Sequence, residues 1–274
     1  MFTDKEMTNF VDKVVLGNVR YLPKKAKKAL SKKTKRPLDT EEQPQHKTPL
    51  KIDLKSIKPV GSQQKETFEA WELGKHLSLQ GVAGTGKTFI AMYLAFKALQ
   101  TGKYQKIVIF RSTVPSRDIG FLPGTVKEKI EQYEAPYRDI TAELYGRADA
   151  YDIMVKKGVL EFLSTSYLRG ITVKNALMII DEVENCSFQE CDTIITRAGD
   201  GSRIIIAGDY HQSDLVRDKE KEGLIKFLAI LNYMDEFAHI PFGKDDIVRS
   251  GLVKSYILAR ERHKEDLTKK PIRE

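Results

Sequence analysis

Apolar and polar positions along the 274-residue chain fall into two alternating kinds of segment. Short apolar-rich stretches close to residues 77–80, 106–110, 159–163, 176–180, 203–207 and 237–240 predict strands, and Ala176 to Ile180 is apolar without a break. A strand covered on both faces has no solvent side and therefore no reason to alternate. Between these runs, segments near 62–73, 87–100, 125–146, 187–197, 222–233 and 251–262 predict helices. Strands alternating with helices predict an α/β domain, a parallel sheet with helices on both faces. The chain is long enough for one such domain with a sizeable core and too short for two. Residues 1–22 carry apolar positions for a short helix or strand, without evident chemistry.

The first strand runs into G-V-A-G-T-G-K-T, residues Gly81, Val82, Ala83, Gly84, Thr85, Gly86, Lys87 and Thr88, and Phe89 continues the helix. This is a complete G-x-x-x-x-G-K-[ST] phosphate-binding loop between a strand and a helix, the context that gives the motif its meaning. Its glycines allow backbone N–H groups to turn inward on a phosphate, and the helix adds the positive end of its dipole. Lys87 is expected to reach the β- and γ-phosphates of ATP, with the Thr88 hydroxyl ligating Mg2+. A second apolar run, Ala176 to Ile180, ends in Asp181 and Glu182. Asp181 is expected on the Mg2+ side, through water, and Glu182 as the group that polarises the attacking water. A third run delivers Gly208-Asp209-Tyr210-His211-Gln212. The Gln212 amide can donate to a γ-phosphate and accept from a water, so it is the expected γ-phosphate sensor.

Together with Gly120–Gly124 (G-F-L-P-G), Lys127-Glu128-Lys129, Arg169-Gly170, Ile179–Asn185 (I-I-D-E-V-E-N), Thr196-Arg197, Gly208–Leu215 (G-D-Y-H-Q-S-D-L) and Asp246–Arg249 (D-I-V-R), the loop resembles the PhoH-like ATPases over roughly Ile57 to Tyr256. The resemblance implies a single RecA-like P-loop domain, similar to the first motor domain of superfamily 1 helicases, with ATPase activity and, in some members, RNA unwinding. It also implies that Gln64 reads adenine, with Gln63 as the second candidate. Arg111 would couple nucleotide to nucleic acid, and Arg249 would contact the γ-phosphate. Glu184 departs from the pattern, which usually has glutamine there.

Net charge is +8, but residues 1–50 hold 12 of the 46 Lys and Arg against 6 of the 38 Asp and Glu, so +6 of it lies in this stretch. Lys24 to Arg36 is lysine-rich, without aromatics, and Pro37, Pro44 and Pro49 follow. The expected organisation is a basic arm and linker (1–50), an ATPase domain (51–262) and a charged tail (263–274). Such an arm suits sequence-independent binding to single-stranded RNA or DNA, or acts as a solvated tail. The loop from Ser112 to Gly124, with Arg117, is a candidate contact for nucleic acid or a neighbouring subunit, and equally a rigid connector. A superfamily 1 motor closes its nucleotide site with a second RecA-like domain, and this chain has one phosphate loop. A head-to-tail homo-oligomer, a ring such as a hexamer, is therefore expected to supply the missing wall. No run approaches a membrane span or a signal peptide, so the expectation is a cytoplasmic protein of bacterial or phage type. Cys186 and Cys191, five apart in a predicted helix, are expected on different faces as packing residues.

Two other classes share the phosphate loop. A nucleotide-gated assembly protein would hydrolyse slowly, and a small-molecule kinase would not need Glu182 and Gln212 placed around a water.

Overall fold

A computed structural model of the chain describes residues 53–113, 126–165, 172–209 and 218–269. In chain order the elements are α1 (Ser62–Glu72), β1 (His76–Gly81), α2 (Lys87–Gln100), β2 (Lys106–Arg111), α3 (Val126–Tyr145), α4 (Ala150–Lys156), β3 (Leu160–Ser164) and β4 (Ala176–Asp181). A 3-10 turn at Val183–Asn185 follows, then α5 (Phe188–Thr196), β5 (Arg203–Gly208), α6 (Asp218–Leu231), β6 (Phe237–Phe242), a second 3-10 turn and α7 (Gly251–Lys269).

The six strands form one sheet in the order β3-β2-β4-β5-β1-β6, and every pairing is parallel. All six residues of the central strand β4 are buried. Its side chains serve two cores: Leu177 and Ile179 join Leu77, Leu79, Ile107 and Ile109 against α2, α3 and α4. Met178 and Ile180 join Val108, Phe110, Ile204 and Ile206 against α5 and α6. That division is the period-2 geometry of a strand with helices on both faces. Pro241 lies in β6, at the sheet edge, where a missing N–H costs no ladder bond on the open side.

All six strands and six helices expected from the pattern are present. The structure adds α4, whose seven residues bury only Ala150, Tyr151 and Met154, too few for a helical period to stand out. It also extends α7 to Lys269, through polar residues that continue a helix without an apolar stripe. The cysteines need a correction. Cys186 ends the 3-10 turn in an extended conformation, so helical spacing does not relate it to Cys191 in α5. Both are free and fully buried in one core, and a hydrogen bond with Cys191, followed by burial, pushes the Cys186 thiol well up. No helix among the described residues is long and apolar enough to cross a membrane.

Candidate nucleotide site

Because every strand is parallel, the carboxyl ends of β1, β2, β4 and β5 open on one edge of the sheet. Register places Gln80 beside Gly208 and Arg111 beside Asp181. A ligand crevice beyond the strand ends is the expected position in an open α/β sheet. A cleft of about 880 Å3 lies there, between the loop after β1, the ends of β4 and β5, α3, and the segment before α7.

The phosphate loop is built by left-handed backbone. Gly84 and Gly86 have φ of 80° and 83°, and Gly86 forms the N-cap of α2. Thr85, fully buried, donates its hydroxyl to the Val82 carbonyl at 2.9 Å and holds the turn from within. The Val82 N–H donates to the Phe242 carbonyl at 3.0 Å, tying the loop to the end of β6. Lys87 is 8 % exposed, and its Nζ donates to the carbonyls of Gly81 (2.7 Å) and Val82 (2.9 Å). Burial pushes its ammonium below the ordinary lysine range, while Asp209, Glu184 and Asp181 pull it back. Ala83, Gly84, Gly86, Lys87, Thr88 and Phe89 all line the cleft.

Thr88 stands in the first turn of α2, and its Oγ1 donates to Asp181 Oδ1 at 2.9 Å. The other oxygen, Oδ2, accepts from the Tyr137 hydroxyl of α3 at 2.8 Å. Glu182 takes up left-handed backbone (φ 49°, ψ 48°), and its Oε2 meets Arg111 Nη2 at 2.6 Å. Glu184 is buried, and its Oε2 accepts the Asp209 N–H at 2.9 Å. Burial pushes its carboxyl up to about 7.

Gln64 and Arg249 both line the cleft. Gln64 is buried and accepts the Val60 N–H through Oε1 at 2.8 Å. Gln63, the other glutamine, donates instead to the Pro241 carbonyl outside the cleft lining, at 2.8 Å. Arg249 is brought to Gly84 by the Val248 N–H, which donates to the Gly84 carbonyl at 3.0 Å. Arg138, just past the Pro- and Gly-rich loop, is engaged within the fold, with Asp152, Glu134 and the Tyr151 ring. Gln212, Arg117, the G-F-L-P-G segment and Arg169-Gly170 lie outside the described residues. Tyr137 has no counterpart in the sequence expectations: one tyrosine in an amphipathic helix, 44 positions from Asp181, reads as core packing.

The donor set fits a hard divalent cation: a hydroxyl and a carboxylate oxygen side by side at the foot of the phosphate loop. The loop, the buried Lys87 and α2's N-terminus fit an anionic phosphate chain.

A sequence profile of the family described as PhoH-like protein matches residues 56–261. A PhoH-like protein of Bacillus subtilis (strain 168) is 34 % identical over 209 residues, covering 76 % of this chain and 65 % of that protein. A PhoH-like protein of Synechocystis is 32 % identical over 232 residues, covering 82 % of this chain and 70 % of the relative. The chain thus spans about two thirds of the length of the curated relatives it matches. Among solved structures, the Pif1 helicase from Candida albicans aligns with a TM-score of 0.35 at 15 % identity, over 68 % of this chain and 40 % of that one. With a profile matching three quarters of its length and curated relatives above 30 % identity, this chain belongs to the PhoH-like protein family.

Proposed function

We propose that the chain is a Mg2+-dependent ATPase whose single RecA-like domain couples hydrolysis to binding or remodelling of single-stranded nucleic acid, in the manner of an RNA helicase. The observation that carries the reading is the 2.9 Å bond between Thr88 Oγ1 and Asp181 Oδ1, which joins two motifs 93 positions apart at the mouth of the phosphate loop. Those two residues would hold Mg2+, which when bound neutralises charge on the phosphates. The loop N–H groups and Lys87 bind the β- and γ-phosphates, and Gln64 faces the adenine side. Glu182 takes a proton from the attacking water, Arg249 reaches the γ-phosphate, and Gln212 is the γ-phosphate sensor.

Family membership and the cleft support nucleotide binding, and the paired carboxylates favour hydrolysis over kinase or slow assembly chemistry. Phosphate release by the purified chain, measured with Mg-ATP with and without oligo(U), tests it. We expect Lys87→Ala to abolish turnover and Gln212→Ala to bind ATP yet hydrolyse it at least ~10-fold more slowly. Neither ATP retention nor phosphate release by the unmutated chain would end the proposal.

The same reading includes a homo-oligomeric ring that completes each site from a neighbour. Leu252 and Tyr256, on the first turns of α7 that follow Arg249 in the chain, are exposed large apolar side chains, where a second copy would pack. Light scattering after gel filtration in Mg-ATP should then give a multiple of the 31.2 kDa chain mass; monomer alone at working concentration contradicts it.

A further inference from the structure

Asp181 and Glu182 are consecutive, yet the reaction asks different things of them. One carboxylate must stay on the metal side while the other addresses a water. The sequence places both at the end of β4, and nothing in a strand end by itself separates their tasks. The separation is made from α3 and β2.

Tyr137, fully buried in the middle of α3, donates to Asp181 Oδ2 at 2.8 Å, while Thr88 donates to Oδ1 at 2.9 Å. Each oxygen of Asp181 therefore has its own protein donor, one from the phosphate loop helix and one from α3. In the Tyr137 bond the phenol is the donor, since a carboxylate oxygen only accepts. Glu182 takes left-handed backbone, which a non-glycine residue adopts only where its surroundings impose it. Its carboxylate meets Arg111 at 2.6 Å. Arg111 has a side chain only 14 % exposed and lies 5.6 Å from the Tyr133 ring centroid and 6.0 Å from that of Tyr137. The two tyrosines are four residues apart, so one face of α3 presents both rings. Guanidinium groups favour such aromatic faces, which fix their plane.

We propose that Tyr137 and Arg111 are positioning residues for hydrolysis: Tyr137 orients the Asp181 carboxylate toward the metal, and Arg111, seated on the α3 tyrosines, holds the Glu182 carboxylate apart from it as the base. The proposal rests on the ATPase reading above. It assigns α3 a part in the chemistry that the nucleotide-binding motifs do not contain.

The test uses the full chain and three variants, Tyr137→Phe, Arg111→Gln and Arg111→Lys. Binding of a fluorescent ADP analogue is titrated in EDTA and against Mg2+, and kcat and KM for Mg-ATP are measured alongside. For Tyr137→Phe we expect unchanged binding in EDTA and a Mg2+ half-saturation raised ~10-fold, the scale on which outer-sphere partners of metal ligands act. For Arg111→Gln we expect kcat to fall ~10-fold or more with KM within twofold, and Arg111→Lys to recover part of that loss because it keeps the charge. A Mg2+ half-saturation unmoved in Tyr137→Phe overturns the proposal. So does an Arg111→Gln loss that falls on KM, or one that Arg111→Lys does not relieve. If the unmutated chain does not hydrolyse ATP, the ATPase reading itself fails; if it does and the variants behave like it, only the positioning roles fail.

Discussion

Glu184 illustrates how one side chain ties stability to pH. It is 8 % exposed, its carboxyl is pushed up to about 7 by burial, and one oxygen accepts the Asp209 N–H. In the unfolded chain the same group titrates near its ordinary 4.5. Between those values the folded state binds the extra proton, so stability falls as pH rises from about 4.5 to about 7 and is flat above. Glu184→Gln keeps an acceptor oxygen for the Asp209 N–H and removes the buried charge. The variant should be more stable than the parent at pH 8 by roughly 1–3 kcal/mol, the lower end reflecting compensation by Lys87. At pH 5 most of that gap should vanish. Urea unfolding at the two pH values checks it, and an equal gap at both would contradict a buried, titrating carboxyl as its origin. Residues such as Lys87, Thr88 and Asp181 were legible from spacing because the phosphate loop and the acidic strand end have few other uses. Tyr137 was not, because a buried aromatic in a helix looks the same whether its hydroxyl meets a carboxylate or an ordinary carbonyl.

Between elements, the closest approach that the site depends on is β1 against β6. Their parallel register runs from His76 beside Phe237 to Gly81 beside Phe242. At Gly81 φ is 129°, and an added Cβ would overlap the Phe242 carbonyl, the same group that accepts the Val82 N–H. Gly81→Ala must therefore strain the backbone and part the two strands where the phosphate loop begins. We expect a loss of ~3 kcal/mol or more, with weaker ATP binding. Gly74→Ala, also at positive φ (86°) but with open space around it, is the control and should cost ~1 kcal/mol with ATP binding retained. Urea unfolding and nucleotide titration of both variants decide between steric closure and backbone conformation alone. Elements themselves were largely readable: strands buried on both faces advertise themselves as apolar runs, as Ala176–Asp181 does. α6 begins at Asp218, ahead of the apolar positions that predicted it, because D-K-E-K-E continues a helix without an apolar stripe to announce it. The order of strands was not readable, since β5 comes between β4 and β1 through crossovers that no local pattern encodes.

For the whole molecule, charge is unevenly distributed along the chain, and the proposed function gives that distribution a test. Residues 1–50 carry +6 of the net +8, and eight of their basic residues fall between Lys24 and Arg36. The cleft, by contrast, gathers carboxylates at Asp181, Glu182, Glu184 and Asp209 around Lys87 and Arg249. A lysine-rich stretch free of aromatics, such as Lys24 to Arg36, suits binding of phosphates by counterion release and not by stacking or base readout. Replacing those eight residues by glutamine in the full chain should leave unstimulated ATP hydrolysis within twofold. Affinity for labelled oligo(U), followed by fluorescence anisotropy at rising NaCl, should fall. The slope of log affinity against log salt should flatten by ~0.7 for each phosphate that the arm no longer neutralises. Equal affinity and slope in the two proteins would move polymer binding off the arm and onto the folded domain, where Arg111 and the segment containing Arg117 would be the next residues to replace.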